Sequence, residues 1–166
     1  SNIEYLRIFA DEGGCSHFEI QTIELEARDY APPAPSLNAS SLETADKSVF
    51  LELPAGYYGG WHPTPVRQWI IIMTGICEFE AGDGEKITRK AGDVIMLDDL
   101  TGKGHQTKVV GDESVRMAAA IFHESFTTRN RVVGGLLSPP QHPVRWAALG
   151  VMNVVRREWR KSTDKI

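Results

Sequence analysis

The sequence has little of several features that mark special classes of protein. Its two cysteines, Cys15 and Cys77, are too few for a disulfide framework and lack the spacing of a metal-binding cysteine pair. Its longest relevant apolar run, residues 69–73, is too short to cross a bilayer. A formal net charge of −4 argues against nucleic-acid binding, which needs a concentrated basic surface. We therefore predict two unpaired thiols and neither a membrane nor a nucleic acid as partner.

The N-terminal segment also lacks the features of a secretory signal. Glu4 and Arg7 interrupt its apolar residues, which argues against a secretory hydrophobic region. The composition, with 42% hydrophobic and 24% charged residues, is that of an ordinary globular protein. A length of 166 residues is enough for one domain with a real core. We predict a soluble, cytoplasmic, single-domain protein.

Residues 16–126 carry mostly strand-type patterns. Residues 31–35 hold three prolines, which predicts an extended surface loop rather than a strand. Short alternating segments separated by Gly- and Asp-containing turns favour an all-β sandwich or barrel. The predicted strands are residues 20–27, 49–53, 68–74, 76–80, 85–90, 94–97, 105–110 and 115–123.

The C-terminal region differs from the rest. Apolar residues recur at helical spacing after Pro143, which suits the first turn of a helix. We therefore predict a C-terminal amphipathic helix. The expected organisation is residues 1–45 for N-terminal strands and a Pro-rich loop, residues 46–126 for the main barrel, and residues 127–166 for a loop and this helix, all in one domain.

Two motifs suggest a family. The segment from residue 56 to residue 75 resembles the first cupin motif, in which two histidines, a glutamate and a glycine follow the first glycine. The corresponding residues here are Gly56, His62 after five residues, Thr64, Gln68 and Gly75. Thr64 stands at the second histidine position and Gln68 at the glutamate position.

The segment from Gly92 to His105 resembles the second cupin motif, with two extra residues and with Asp98 where proline is usual. Val109 falls at the asparagine position of that motif. The two motifs occur in order on strand-type sequence, so the chain resembles an uncharacterised bacterial cupin subgroup over residues 16–123. This resemblance implies a jelly-roll β-barrel, a small-molecule ligand and a homodimer.

The resemblance also implies a metal site inside the barrel. In cupins, three histidines and a glutamate bind a divalent metal, and His62, Gln68 and His105 are the corresponding metal-ligand candidates here. This set has lost one imidazole and one negative charge, so we expect weakened binding of iron, nickel, manganese, zinc or copper. His62 could instead be a turn histidine next to Pro63 and Pro65, and His105 could be a strand cap.

Four further residues are candidates for the ligand pocket: Tyr58, Trp61, Thr64 and Thr107. The aromatic pair could stack on an apolar ligand at the barrel mouth or pack in a dimer interface. The adjacent carboxylates Asp98 and Asp99 could indicate a metal ligand or a base, but adjacent carboxylates more often belong to a solvated loop, which we predict here. The other histidines, His17, His123 and His142, have no spacing that links them to a site, so we expect them to be surface or hydrogen-bonded residues.

Three functions remain open from the sequence. The first is a metal-dependent oxygenase, isomerase or lyase that acts on a small organic molecule. The second is a non-catalytic cupin that binds or senses a small molecule without tightly bound metal. A third reading is a structural or partner-binding barrel whose site has decayed. The fold cannot decide among them, because one fold supports many functions.

Overall fold

The computed structural model describes residues 1–122, and the regular structure of this part is entirely β. This confirms the predicted all-β class, whereas the predicted C-terminal helix lies outside the described residues. Within them, no helix is long and apolar enough to span a membrane. The strands are β1 Asn2–Ala10, β2 Ser16–Glu24, β3 Glu26–Arg28, β4 Leu37–Ala39, β5 Lys47–Leu53, β6 Tyr58–His62, β7 Gln68–Thr74, β8 Ile76–Glu80, β9 Lys86–Lys90, β10 Val94–Asp98, β11 His105–Val109 and β12 Val115–Ile121.

Two large sheets and one small ribbon make up the fold. The six-stranded sheet has the order β2-β1-β10-β7-β12-β5, and the four-stranded sheet has the order β6-β11-β8-β9. Strands β3 and β4 pair with each other. Strand β1 runs parallel to β10. Both large sheets contribute to one core, whose buried members are Leu6, Ile8, Ile70, Ile72, Cys77, Phe79, Ile95, Val109, Val115, Met117 and Ala119.

Strand β7 illustrates how the sequence directs this core. Ile70 and Ile72 are 4% and 1% exposed, whereas the intervening Ile71 is 46% exposed. Successive side chains of a strand point to opposite faces, so one isoleucine set packs inward and the other faces out. Each fully buried side chain of this size contributes about 1.5–3 kcal/mol of transfer free energy. The predicted bounds of β7 and β8 are confirmed.

Strand β1 falls within the predicted N-terminal strand region, but it was not predicted with bounds of its own. Leu6 and Ile8 of β1 are buried in the core. Arg7 lies on the other face, where its Nη2 donates to Asp98 Oδ2 on β10 at 2.6 Å. The Asp98 hydrogen bond is the main cause that raises the pKa of Arg7. Asp98, which is distant in sequence, therefore stabilises the positive charge of Arg7 in strand β1.

Candidate functional site

His62 and His105 face each other across two neighbouring strands. Strand β6 pairs antiparallel with β11, and His105 is the register partner of His62. The ring centroids are 4.9 Å apart, with an angle of 52° between the ring planes. His105 is 2% exposed, and His62 is half-buried. The structure thus brings together the two histidines that the motifs singled out.

A buried carboxylate holds the ring of His105. Asp99 Oδ2 lies 2.7 Å from His105 Nδ1. The other carboxylate oxygen, Oδ1, accepts a hydrogen bond from Thr64 Oγ1 at 2.5 Å. The backbone N–H of Thr64 also donates to the Asp99 carbonyl, at 2.9 Å. Because Asp99 is 0% exposed, the prediction of a solvated acidic loop is wrong for this residue.

The role of Thr64 follows from these contacts. Its side chain is 2% exposed and donates to Asp99, so its hydroxyl proton is directed at the carboxylate. In carboxylate–histidine arrangements, such outer contacts fix the orientation of the ring that faces a metal or ligand. Thr64 therefore acts on His105 through Asp99. Whether it also touches a ligand, as predicted for the pocket, stays a prediction.

Hydrogen bonding leaves the same nitrogen available on both rings. The Gly60 carbonyl can only accept, so His62 Nδ1 carries the proton in their 2.6 Å contact. His105 Nδ1 likewise donates to the Asp99 carboxylate. In the neutral imidazole, Nε2 is then the acceptor. Within residues 1–122, neither Nε2 is hydrogen-bonded to another residue. Both can bind a metal ion or accept a ligand proton.

The loop before His105 passes very close to the backbone of His62. Gly104 has a φ of +75°, and a Cβ built there would lie 1.9 Å from the His62 carbonyl oxygen. Only glycine fits this approach. Buried Ser16 Oγ donates a hydrogen bond to the Gly104 carbonyl at 2.7 Å. The same hydroxyl oxygen of Ser16 accepts a hydrogen bond from the Gly82 N–H at 2.6 Å. The position of the loop is thus fixed from two sides.

Gln68, the third predicted metal ligand, lies in the other large sheet. It begins β7, where it is the register partner of Leu97 on one side and of Ile121 on the other. Its side chain is half-buried. No hydrogen bond joins it to either histidine in the described residues. Its assignment as a metal ligand stays a prediction.

The other candidate pocket residues lie in different surroundings. Lys103 Nζ sits 3.6 Å from the ring centroid of Trp61, a cation–π contact. Thr107 is 7% exposed and is the register partner of Gly59 and Phe79. Tyr58 is 62% exposed and donates to Gln106 Oε1. An open depression of about 210 Å³ is lined by Tyr58, Glu78, Glu80, Lys86, Gln106, Thr107 and Lys108.

A second group of polar side chains lies in the turn between β1 and β2. One ligand-type atom from each of Asp11, Cys15 and His17 lies within 4.8 Å of the other two. His17 Nε2 contacts Asp11 Oδ2 at 2.8 Å, and His17 Nδ1 contacts Asp83 Oδ2 at 2.8 Å. Hydrogen bonds to Asp11 and then to Asp83 raise the pKa of His17. Among residues 1–122, this is the group of three metal-type ligands that the fold assembles.

Sequence reasoning missed this group. His17 was expected to be a surface or hydrogen-bonded histidine, and Cys15 an unpaired thiol. Both cysteines are indeed free, Cys15 half-buried and Cys77 buried. The available signal was the spacing Asp11, Cys15, His17 around the glycines at 13 and 14, which suits a tight hairpin turn. Asp83 comes from a distant turn, so only the fold reveals it.

Compared with known families, curated proteins and solved structures, the chain has matches among the solved structures. No family model and no curated protein matches the chain. A DUF861-family protein from Thermotoga maritima is 23% identical, with a TM-score of 0.38, over 46% of this chain and 81% of that one. A cupin 2 conserved barrel domain protein from Salinispora arenicola is 26% identical, with a TM-score of 0.41, over 60% of this chain and 76% of that one. A cupin superfamily protein from Desulfitobacterium hafniense is 13% identical, with a TM-score of 0.35, over 50% and 84%. The similarity is to cupins.

The all-β architecture of residues 1–122 and the pairing of His62 with His105 are observed in the chain itself. The TM-scores lie below 0.5, and no chemistry of the cupin neighbours is transferred to this chain. What the chain does is proposed from its own residues.

Proposed function

We propose that this chain binds a small organic molecule inside a cupin-type barrel, beside a depleted divalent-metal site held by His62 and His105. The observation that supports the proposal is the hydrogen bonding and spacing of the two imidazole rings. Each Nδ1 is hydrogen-bonded to an acceptor of the protein, and the rings are 4.9 Å apart. Two fixed rings with free Nε2 lone pairs form a partial ligand set.

The residues fit a weakly held metal. Two neutral imidazoles suit iron, nickel, zinc or copper, and Gln68 offers a neutral amide oxygen as a third ligand, a type that suits manganese. The hydroxyl of Thr64 donates to Asp99, so this residue does not replace the missing histidine. A divalent metal in such a site polarises a substrate oxygen, which is the chemistry that an oxygenase, isomerase or lyase would use. A ligand carboxylate could supply the missing negative charge.

A non-catalytic function is the second candidate, and the same feature of Thr64 favours it. Without a tightly held metal, His62 and His105 would accept hydrogen bonds from a ligand in the barrel. Asp99 would keep the His105 ring oriented for that contact. The chain would then bind or sense a small molecule. In both functions we propose a cytoplasmic protein that forms a homodimer.

Metal content tests the first function. The protein is purified without a nickel column in a Cys15→Ser, His17→Asn background, which removes ligands of the turn group. On titration of this protein with a divalent metal, we expect one weakly bound equivalent per chain and a rise in melting temperature. Adding His62→Ala or His105→Ala should abolish both effects. His62→Ala is the safer variant for folding, because His105→Ala leaves buried Asp99 without its partner. Equal metal content in all proteins, with no thermal shift, would refute the metal site.

Ligand screening tests the second function. Small carboxylic acids and phenolics are tested for stabilisation of the metal-free protein. A ligand at 100 times its dissociation constant stabilises the folded state by about 2.7 kcal/mol. Stabilisation that His62→Ala abolishes, in protein that holds no metal, would favour binding without catalysis. If no compound stabilises the protein with or without metal, both functions fail.

A further inference from the structure

The turn between β1 and β2 gathers a thiol, an imidazole and a carboxylate outside the barrel site. Asp11, Cys15 and His17 place their ligand-type atoms within 4.8 Å of one another. Asp11 also accepts from the backbone N–H of Cys15, at 3.0 Å, and its own N–H donates to the Cys15 carbonyl, at 2.9 Å. The three side chains therefore belong to one closed turn.

The charges of this group call for a cation. His17 has a carboxylate oxygen 2.8 Å from each ring nitrogen, from Asp11 on one side and Asp83 on the other. A neutral imidazole has a single N–H, so it can donate to one of these carboxylates and not to both. The other contact needs either a second ring proton, which the raised pKa of His17 favours in the absence of metal, or a metal ion bound by both Nε2 and Asp11. A metal ion would replace that proton.

Asp83 provides the outer contact that histidine ligands usually have. It lies in the turn between β8 and β9, and it approaches Nδ1, the nitrogen that faces away from Asp11. A metal-bound histidine commonly donates its second N–H to a carboxylate, which fixes the ring. In this arrangement Nδ1–H donates to Asp83, and the Nε2 lone pair points to the metal.

Ser16 holds the two flanking ligands in position. It lies between Cys15 and His17 in sequence, is 0% exposed, and bonds both Gly82 N–H and the Gly104 carbonyl. A Cβ on Gly82 would lie 2.9 Å from Ser16 N and 3.3 Å from Cys15 Sγ. The hairpin therefore docks on the Gly82 turn, which holds the backbone that carries Cys15 and His17.

From these contacts we infer that Asp11, Cys15 and His17 bind Zn²⁺, with Asp83 orienting His17. A thiolate, an imidazole and a carboxylate are the ligand types of zinc, at about 2.0–2.3 Å from the ion. Binding releases the thiol proton of Cys15 to solvent, since the thiolate is the ligand. The side chains of Asp11 and His17 are 43% and 32% exposed, so water can complete the tetrahedral shell. The site is independent of the proposed function.

Cobalt substitution tests the site. Co²⁺ is added to the metal-free full-length chain, and a thiolate-to-cobalt charge-transfer band in the near ultraviolet is expected. Zn²⁺ should displace the cobalt and should slow alkylation of Cys15 by N-ethylmaleimide. Cys15→Ser should abolish the band. His17→Asn and Asp11→Asn should each weaken zinc binding, measured by competition with a chelating indicator. Asp83→Asn should weaken it by about 10–100-fold, the range for lost outer contacts.

Matched variants separate this site from others. Glu12→Gln changes an exposed carboxylate of the same turn and should leave zinc affinity unchanged. His62→Ala should keep the cobalt band, because it affects only the barrel site. Circular dichroism and thermal melting of the metal-free variants establish that each one folds. A wild type without the band, a band that survives in Cys15→Ser, or equal zinc affinities in wild type, Cys15→Ser and His17→Asn would overturn the inference.

Discussion

Asp99 accepts a hydrogen bond from Nδ1 of His105 at 2.7 Å, and their side chains are 0% and 3% exposed. A buried carboxylate is costly unless it is hydrogen-bonded, so this contact stabilises a folded state in which the His105 ring has one orientation. In the proposed function, Asp99 is therefore a positioning residue that orients His105. Thr64 extends the same chain of contacts by one hydrogen bond.

Thr64→Val tests this chain of contacts. Valine keeps the shape of threonine but removes the hydroxyl that donates to Asp99 Oδ1. A buried charged acceptor then lacks one partner, and we expect a loss of about 1–3 kcal/mol in the free energy of unfolding. Urea denaturation measures this loss. Ligand or metal affinity at His105 should fall as well, because its ring is held less firmly.

Thr107→Val is the matched control. Thr107 is 7% exposed, and its side chain makes no hydrogen bond to another residue in the described part of the chain. The same chemical change should therefore leave the free energy of unfolding within about 0.5 kcal/mol of wild type. Equal losses in the two variants would mean that the Thr64–Asp99 contact contributes nothing specific.

A pair of glycine substitutions tests the close approach beside His62. Gly104→Ala places a methyl group 1.9 Å from the His62 carbonyl oxygen and also requires a φ of +75°. Gly56 has a similar φ of +76°, with nothing within 4 Å of its added Cβ. We expect Gly56→Ala to cost about 1–2 kcal/mol, the cost of the backbone conformation alone. Gly104→Ala should cost over about 3 kcal/mol.

Chemical unfolding of both alanine variants measures the difference. If Gly104→Ala folds, metal or ligand binding at His62 should be lost with it, because the strand that carries this residue must move. Similar stabilities for the two proteins would show that the loop can shift without cost, contrary to the geometry described above.

Thiol labelling tests the environments of the two cysteines. Burial raises the pKa of Cys77 to about 12, because the thiolate cannot be solvated in the core. At pH 8 roughly one Cys77 thiol in ten thousand is then ionised, and its reaction with N-ethylmaleimide should be negligible. Cys15 is half-buried and should react. Mass spectrometry of metal-free protein is expected to find one label, and none in Cys15→Ser. A label on Cys77 in folded protein would contradict this prediction.

Arg7 tests the contribution of the ion pair between β1 and β10. Its Nε and Nη2 donate to Asp98 Oδ2 at 3.1 and 2.6 Å, and the side chains are 32% and 18% exposed. Arg7→Met should lower the free energy of unfolding by about 1 kcal/mol, and added salt should reduce this difference. Arg28→Met is the control, because the 3.4 Å pair of Arg28 with Glu26 is largely exposed. Thermal melting that ranks the two variants the other way would contradict the assignment.

The sequence predicted the core strands better than the strands at the site. The alternation in residues 68–74 and 76–80 and the glycine between them sufficed to predict β7 and β8 with their observed bounds. No strand was predicted at β6, because Pro63 and Pro65 make the segment around His62 look loop-like. Its strand conformation comes from pairing with β11, a partner that local sequence does not reveal.

The site shows the same division. The spacing of the two motifs identified His62 and His105, and the structure pairs them. The motif spacing did not identify Asp99 as the partner of His105, because Asp98 and Asp99 cannot be told apart from the sequence. Only the fold directs Asp98 to Arg7 and Asp99 to His105. Local patterns therefore find residues whose spacing matters, whereas the partners that fix those residues depend on tertiary contacts.

The register pairing of His62 with His105 has a consequence for how this site could be altered. The backbone hydrogen bonds between β6 and β11 place His62 opposite His105. The turns between the intervening strands do not set this pairing. The exposed turn at Gly92, which lies between β9 and β10, could be lengthened or exchanged while the imidazole pair is kept. One residue inserted within β11 would turn His105 to the opposite face. Variation in the loops could therefore diversify ligand choice around a pair that stays in place.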